Sequence, residues 1–442
     1  MEKEPHAKII SYNANGEDVC ASAARISTTG GDAHQIFENA RGNPKNRALI
    51  EKVLSSGHKS LMEHAVFTIA LRDVSVFVEQ FFIECRLASF TVKSRRYVDF
   101  SHLGYYIPAE LEGEELYRRY MDGLFHAYGD LLETGVPRED ARFLLPYSLH
   151  SNFYCTLNGR ELGHLLWKIR YGWGRGIPEL QDLADELTQQ LEEFFPCLLP
   201  ELRAPLGEGP APETFPLRGS TPVFLSQRQA GAVTLLSVPA EPRKLLEAAF
   251  RVQHPGAPFS IDALAGSSRP RELEQLTYTF TVSDVTLSGI THLVRHRMQS
   301  IVVPPIQSAS HSKFIVPDSV AAQPAPLERY RRAVETAHDI VLQLRGKDLE
   351  KYHYYFALSG NVMDVMTTMN ARELQWFLRL RSCNRAQWEV RHIAVELLRL
   401  LRGHFPELFA HFGPSCFAVG RCPEGRLSCG KMEEVVETFK NL

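Results

Sequence analysis

VFTIALRDVS, residues 66–75, decides the architecture because it occurs twice: its counterpart, TYTFTVSDVT, begins at Thr277, 211 positions on. The same offset pairs Glu63–His64 with Glu274–Gln275, and Arg86 with Arg297. An offset of 212 pairs NGRELGHLL from Asn158 with NARELQWFL from Asn370. An offset this constant over about a hundred residues marks two divergent copies of one module. The seam falls between about 199 and 222, in a Pro- and Gly-rich run that breaks regular structure. The sequence therefore divides into a first module over 1–200, a linker over 201–221, a second module over 222–413 and a Cys-containing tail over 414–442.

Within each copy the pattern is mixed. HAVFTIAL and LTYTFTV alternate and are rich in β-branched and aromatic residues, so both predict strands. RALIEKVLSSG has helical periodicity and a Gly stop, and PLERYRRAVETAHDIVLQLRG predicts a long amphipathic helix. ARELQWFLRLRSCNRAQWEVRHIAVELLRLLRGHF, from Ala371, keeps apolar residues at three- and four-residue spacing and predicts continuous helix. The class is α+β, with helices packed on a mixed or antiparallel sheet once per copy.

At 442 residues with a formal net charge of -3, the chain is an ordinary globular protein long enough for two domains. The charge argues against nucleic-acid binding by bulk attraction but leaves room for a local basic site. MEKEPHAKII has no apolar signal core, and no run approaches the ~18 apolar residues of a membrane span, so a cytoplasmic location is expected. Of eight cysteines only Cys416, Cys422 and Cys429 cluster. Their spacing matches no standard zinc motif and no fourth ligand is obvious, so free thiols and no metal are expected. A metal-binding interaction module is the alternative for this tail.

Chemistry concentrates in two equivalent segments. The first copy has Glu84-Cys85-Arg86, seven residues, then Ser94-Arg95-Arg96-Tyr97. The second has Arg295-His296-Arg297, with Pro305 opposite Ser94 and Gln307 opposite Arg96. A hydroxyl followed by two guanidinium forks suits a phosphate. Arg-His-Arg suits a planar, electron-rich or anionic ring and its diphosphate. The bland alternative is a solvated basic surface; both runs adjoin apolar segments at equivalent positions, which weighs against it. Downstream, EDARFLLP sets Arg142 in apolar surroundings where EKYHYYFA has His353. Arg379 and Arg385 read as salt-bridged helix surface, and Arg381 is the exception.

Ser94 eight positions after Arg86, SSGHKSLMEHAVFTI, REDARFLLP and MNARELQWFLRLRSCNRAQWEVR together resemble the flavin-dependent (alternative) thymidylate synthases, over nearly all of both copies. That family's signature is Arg-His-Arg, seven residues, then Ser. Neither copy has it whole: the first keeps Ser94 and Arg96, the second keeps Arg295-His296-Arg297, and His64 of the first faces Gln275 of the second.

The resemblance implies FAD, with NADPH and methylene-tetrahydrofolate as co-substrates, converting dUMP to dTMP without a cysteine nucleophile. It implies that Ser94, Arg95, Arg96 and Arg142 hold the dUMP phosphate. Arg381 and His292 would meet the base, Arg381 as the catalytic charge. His64, Arg295, His296, Arg297, Asn370 and Arg372 would line FAD. The family is a homotetramer of single modules with sites where subunits meet. The fused chain is then a pseudo-dimer expected to form a homodimer, with sites split between copies. The first copy has Ile169, or Arg170 after a one-residue slip, opposite Arg381, so its own site is expected to be inactive. The competing readings are a related flavin-dependent methyl or hydroxymethyl transferase acting on another pyrimidine nucleotide or a nucleic acid, and a non-catalytic flavin- or nucleotide-binding homologue.

Overall fold

Along β2 (Val66–Ser75) burial alternates, with Phe67, Ile69 and Leu71 turned inward, as expected for a strand with one face on a core. It lies between β1 (Ala7–Tyr12) and β4 (His150–Asn158), with β3 (Ser89–Val92) beyond, giving an antiparallel sheet of order β1-β2-β4-β3. The structure is a computed structural model describing residues 6–202, 215–217 and 221–442. Most of the expected linker over 201–221 lies outside the described residues.

The second sheet repeats the first. Its strands are β5 (Val223–Ser226), β6 (Ala232–Ser237), β7 (Thr277–Thr286), β8 (Ser300–Val302), β9 (Ser310–Val316) and β10 (Asn361–Asn370). β7 lies between β6 and β10, and β8 pairs with β10, reproducing the first order. β10 also carries β9, which pairs with β5 in parallel. The architecture is α+β, as expected.

Small irregularities are repeated too. Asp73 and Asp284 both adopt left-handed backbone, φ 51 and φ 52, where the strand register slips. Each amide is caught across the sheet, Asp73 by Asn152 Oδ1 at 3.2 Å and Asp284 by Asp364 Oδ1 at 2.8 Å. Facing threonine hydroxyls meet at Thr68–Thr156 and Thr279–Thr368. A bulge shared to this detail is a built feature of the module.

Past each bulge the strand turns into a buried helix. Ser75 Oγ caps Val76–Ile83 by accepting from the Val78 amide at 3.1 Å, and Thr286 Oγ1 caps Leu287–Leu293 by accepting from Gly289 at 2.9 Å. Each cap is held by a buried carboxyl, Glu179 on helix Pro178–Phe194 and Glu389 on helix Trp388–His404, which accepts from both the cap's amide and its hydroxyl. Burial pushes both carboxyls up to about 7.

By contacts the chain forms two units that are not the two sequence copies. The first gathers Met1–Phe125, Pro146–Pro216 and Leu344–Phe356; the second gathers His126–Leu145, Leu217–Gln343 and Ala357–Leu442. Each copy thus gives the other's unit one segment: that of Arg142 enters the second unit, and that of His353 enters the first. The continuous helix expected from Ala371 is instead two, Ala371–Arg381 and Trp388–His404. Ser382 bonds back to Leu378 O at 2.6 Å and Gln387 Oε1 caps Val390, so polar side chains end one helix and begin the next. No helix among the described residues is long and apolar enough to cross a membrane.

Candidate active site

β10 ends at Asn370, whose Oδ1 accepts from the Glu373 amide at 2.9 Å and starts helix Ala371–Arg381. Asn158 does the same for Glu161 in the first copy. Asn370, expected among cofactor contacts, therefore has its amide oxygen engaged as a cap. The helix carries Glu373, Phe377 and Arg381 at four-residue intervals, which places all three on one stripe.

His296 meets all three. Helix Leu287–Leu293 ends just before the Arg-His-Arg run, and in that turn Arg295 and Arg297 are exposed while His296 is buried. Gln299 pins the turn, donating to Leu293 O at 2.5 Å and accepting from Thr367 on β10 at 2.9 Å. The imidazole stands edge-on to Phe377, with ring centroids 4.9 Å apart. Its Nδ1 is 3.0 Å from Glu373 Oε1, and its Nε2 is 2.9 Å from Arg381 Nε. Arginine can only donate, so Nε2 is the acceptor and the proton sits on Nδ1, directed at Glu373. Burial lowers the His296 pKa, although Glu373 opposes this, and the ring is neutral. Arg381 Nη2 also donates to the main-chain oxygen of His292 at 3.3 Å. His292 thus meets Arg381 through its backbone.

The second unit also takes the Arg142 segment from the first copy. Trp388 Nε1 donates to Asp140 at 2.8 Å, its amide donates to Glu139 at 3.3 Å, and Gly360 N donates to Phe143 O at 3.0 Å. Two quoted motifs, REDARFLLP and RAQWEVR, are joined by these bonds. Arg142 is buried, donates to Glu139 O at 3.0 Å, and its charge acts against the rise of the Glu389 carboxyl.

In the first unit the loop after β3 presents Ser94 and Arg96 half-buried, with Ser94 Oγ accepting from the Arg96 amide at 3.3 Å. Arg95 differs from expectation. It is 7% exposed and both arms of its fork go to Glu79, at 2.6 and 3.1 Å, while Ser151 donates to the same carboxylate at 2.5 Å. Its guanidinium is committed to Glu79, which places it as the loop's anchor. The corresponding positions of the second copy, 211 or 212 on, are Ile290, Ile306 and Met363, all buried. His64 is exposed, and its backbone oxygen accepts from Asn13 at 3.2 Å. Arg372 pairs with Glu274 near the surface. Arg379, read as helix surface, has Nε buried without a hydrogen-bond partner among the described residues.

Sequence reasoning missed Glu373, Phe377 and Glu79. The first two were findable from the four-residue spacing that ends at Arg381; Glu79 carried no such signal. In the first copy the stripe and its histidine become Glu161, Leu165, Ile169 and Cys85. Burial pushes the Cys85 thiol up to about 12, and Glu161 adds to the rise.

The thymidylate synthase complementing protein family profile matches residues 8–197 and 234–407. A flavin-dependent thymidylate synthase of Geobacter sulfurreducens is 34% identical over 190 residues, 41% of this chain and 80% of that protein. One from Nitratidesulfovibrio vulgaris is 30% identical over 230 residues, 45% of this chain and 94% of its own length. A UMP/dUMP methylase structure from Streptomyces cacaoi, bound with 5-Br dUMP, is 24% identical with a TM-score of 0.37, covering 44% of this chain and 93% of its own.

Proposed function

We propose, from the premise that this chain belongs to the thymidylate synthase complementing protein family, that it is a flavin-dependent thymidylate synthase whose two copies have divided the work of one site. The substrate is dUMP and the product dTMP. Reduced FAD supplies hydride, NADPH restores it, and methylene-tetrahydrofolate supplies the carbon.

The residues fit such a cofactor at its anionic part: Arg295 and Arg297 are exposed guanidiniums on one turn, and Arg372 lies on the adjoining helix. Both nitrogens of His296 are engaged within the protein, so its part is to hold Arg381. Ser94, Arg96 and Arg142 bind the nucleotide phosphate. Arg381 presents a fixed charge to the uracil where negative charge develops, which costs no reorganisation at the moment of reaction.

The observation that carries this reading is the complementary loss. The second copy keeps Glu373–His296–Arg381, where the first has Glu161, Cys85 and Ile169. The first keeps Ser94 and Arg96, where the second has Pro305 and Gln307. That Arg142 of the first copy shares a unit with Arg381 of the second supports a site built from both. We expect a homodimer, which light scattering tests.

The direct assay supplies purified protein with FAD, NADPH, methylene-tetrahydrofolate and dUMP and measures dTMP. Formation of dTMP supports the synthase. Bound flavin without dTMP moves the assignment to another pyrimidine nucleotide or a nucleic acid, and no flavin binding leaves a non-catalytic homologue.

A further inference from the structure

The two copies differ in what covers the helix after their first antiparallel strand. Strand register fixes the correspondence: Ala7 pairs with Leu71 and Val233 with Val282, so matching positions there lie 226 apart. Helix Gly16–Ile26 of the first copy therefore matches helix Pro242–Gln253 of the second. In the first copy, helices Ala33–Ala40 and Asn46–Ser55 pack on it, and Asp18 and Arg25 both bond to Asn46 at 2.8 Å. In the second copy the chain between Gln253 and Arg271 forms only the short helix Ile261–Gly266. The bared face is charged throughout, with Lys244, Glu247 and Arg251 where the first copy has Asp18, Ala21 and Arg25, and Arg251 pairs with Glu247 at 2.5 Å. The adjoining stripe is not: Leu245, Ala248 and Val252 are apolar and exposed.

This stripe forms one wall of a cavity of about 510 Å³, a volume in the range of small-molecule sites. The turn Arg271–Gln275 forms the other wall. On it Glu272 is only 3% exposed, a depth rare for a carboxylate. Its Oε1 is 2.9 Å from His254 Nε2, and that imidazole lies against Phe250 with ring centroids 4.7 Å apart. Its Oε2 is buried and has no hydrogen-bond partner among the described residues. The two guanidiniums that reach this turn are engaged elsewhere: Arg271, at 3.3 Å, and Arg372 both pair with Glu274. A buried carboxylate oxygen left unsatisfied is costly, so the position calls for a donor. The first copy has Leu61 there, buried and in need of none, so the feature belongs to the second copy alone.

We propose that this cavity binds a small molecule with an apolar body and an amine or amidine group. The N–H donates to Glu272 Oε2, and the body lies on Leu245, Ala248 and Val252. Charge selects the class: an ionised carboxylate accepts and cannot donate, so it repels anionic heads and bonds most strongly to a cation. Gln253 and Gln275, also on the walls, can both donate and accept for the ligand's remaining polar atoms. Glu272 and the apolar stripe lie outside the residues assigned above to dUMP and FAD, and binding here does not depend on that assignment.

The test uses the full chain and benzamidine, a flat apolar ring with one amidinium, in saturation-transfer NMR and calorimetric titration. Benzamidine should bind, and benzoate, the same ring with an anionic head, should not. Glu272→Leu, matching the first copy, should weaken benzamidine about tenfold or more. Ala248→Trp, which fills the cavity from an exposed position, should abolish binding while melting near the parent temperature. A crystal soaked with benzamidine should show the amidinium on Glu272 Oε2. Absence of benzamidine binding, which leaves Oε2 to water, would overturn the proposal. So would equal binding of benzoate, an unchanged affinity in Glu272→Leu or Ala248→Trp, or displacement of benzamidine by FAD, which would make the cavity part of the cofactor's site.

Discussion

Arg381 Nε donates to His296 Nε2 at 2.9 Å, so the imidazole is an acceptor, and Glu373 on its far side makes it so. The bond fixes the rotation of a flexible cation without neutralising it. Arg381→Ala should lower kcat about 10²–10³-fold with the fold intact. Single-turnover kinetics at saturating nucleotide checks this.

Glu373 acts through His296. Glu373→Leu should cost about 10²-fold in kcat, because a displaced guanidinium loses near-attack geometry. Glu373→Gln still accepts from Nδ1 and should recover most of the loss. Equal defects in the two variants would make the carboxylate's charge, rather than its hydrogen bond, the important property.

The loop anchor makes a stability prediction. Glu79→Ala strands a buried guanidinium and should destabilise by about 3–5 kcal/mol in chemical denaturation. Replacing the whole group as the second copy has it, Glu79→Ile with Arg95→Ile and Ser151→Met, should restore most of that stability, since apolar packing can substitute for a buried ion pair. Phosphate affinity should still fall, because the loop loses its fixed shape.

Glu179 and Glu389 couple stability to pH. An acid whose folded pKa is raised binds its proton more tightly when folded. Its contribution is full below its ordinary 4.5 and is lost as pH rises through about 7. Each carboxyl should account for about 3 kcal/mol over that window. His353, lowered to about 4 by burial, works oppositely, its contribution present above 6.5 and lost as pH falls through 4. Melting curves of Glu389→Gln against the parent should therefore diverge between pH 4.5 and 7, with the variant flatter.

Cys85 stands where the second copy has its histidine, with a thiol held protonated at neutral pH by burial. Cys85→Ala should leave dTMP formation within twofold of the parent. A large loss of turnover with unchanged melting would reinstate a thiol in the chemistry.

The repeat, the strands and the Arg-His-Arg turn were legible because side-chain alternation and a constant offset are written locally. The long-range couplings were less so. Arg95 reads as a phosphate ligand until Glu79, sixteen positions earlier, is seen to take both arms of its fork. The break at Ser382–Gln387 is hidden because apolar periodicity runs through it, and only the caps reveal it. The exchange of the Arg142 and His353 segments between units leaves no local trace at all.

Division of labour between the copies is tested most directly by dUMP-dependent reoxidation of NADPH-reduced flavin in four single variants. Arg96→Ala and Arg381→Ala should each slow it at least about a hundredfold, while their counterparts Gln307→Ala and Ile169→Val, the latter conservative because Ile169 is a buried core residue, leave it near the parent rate. Comparable losses at both members of either pair would contradict the account, because each copy would then be running a site of its own.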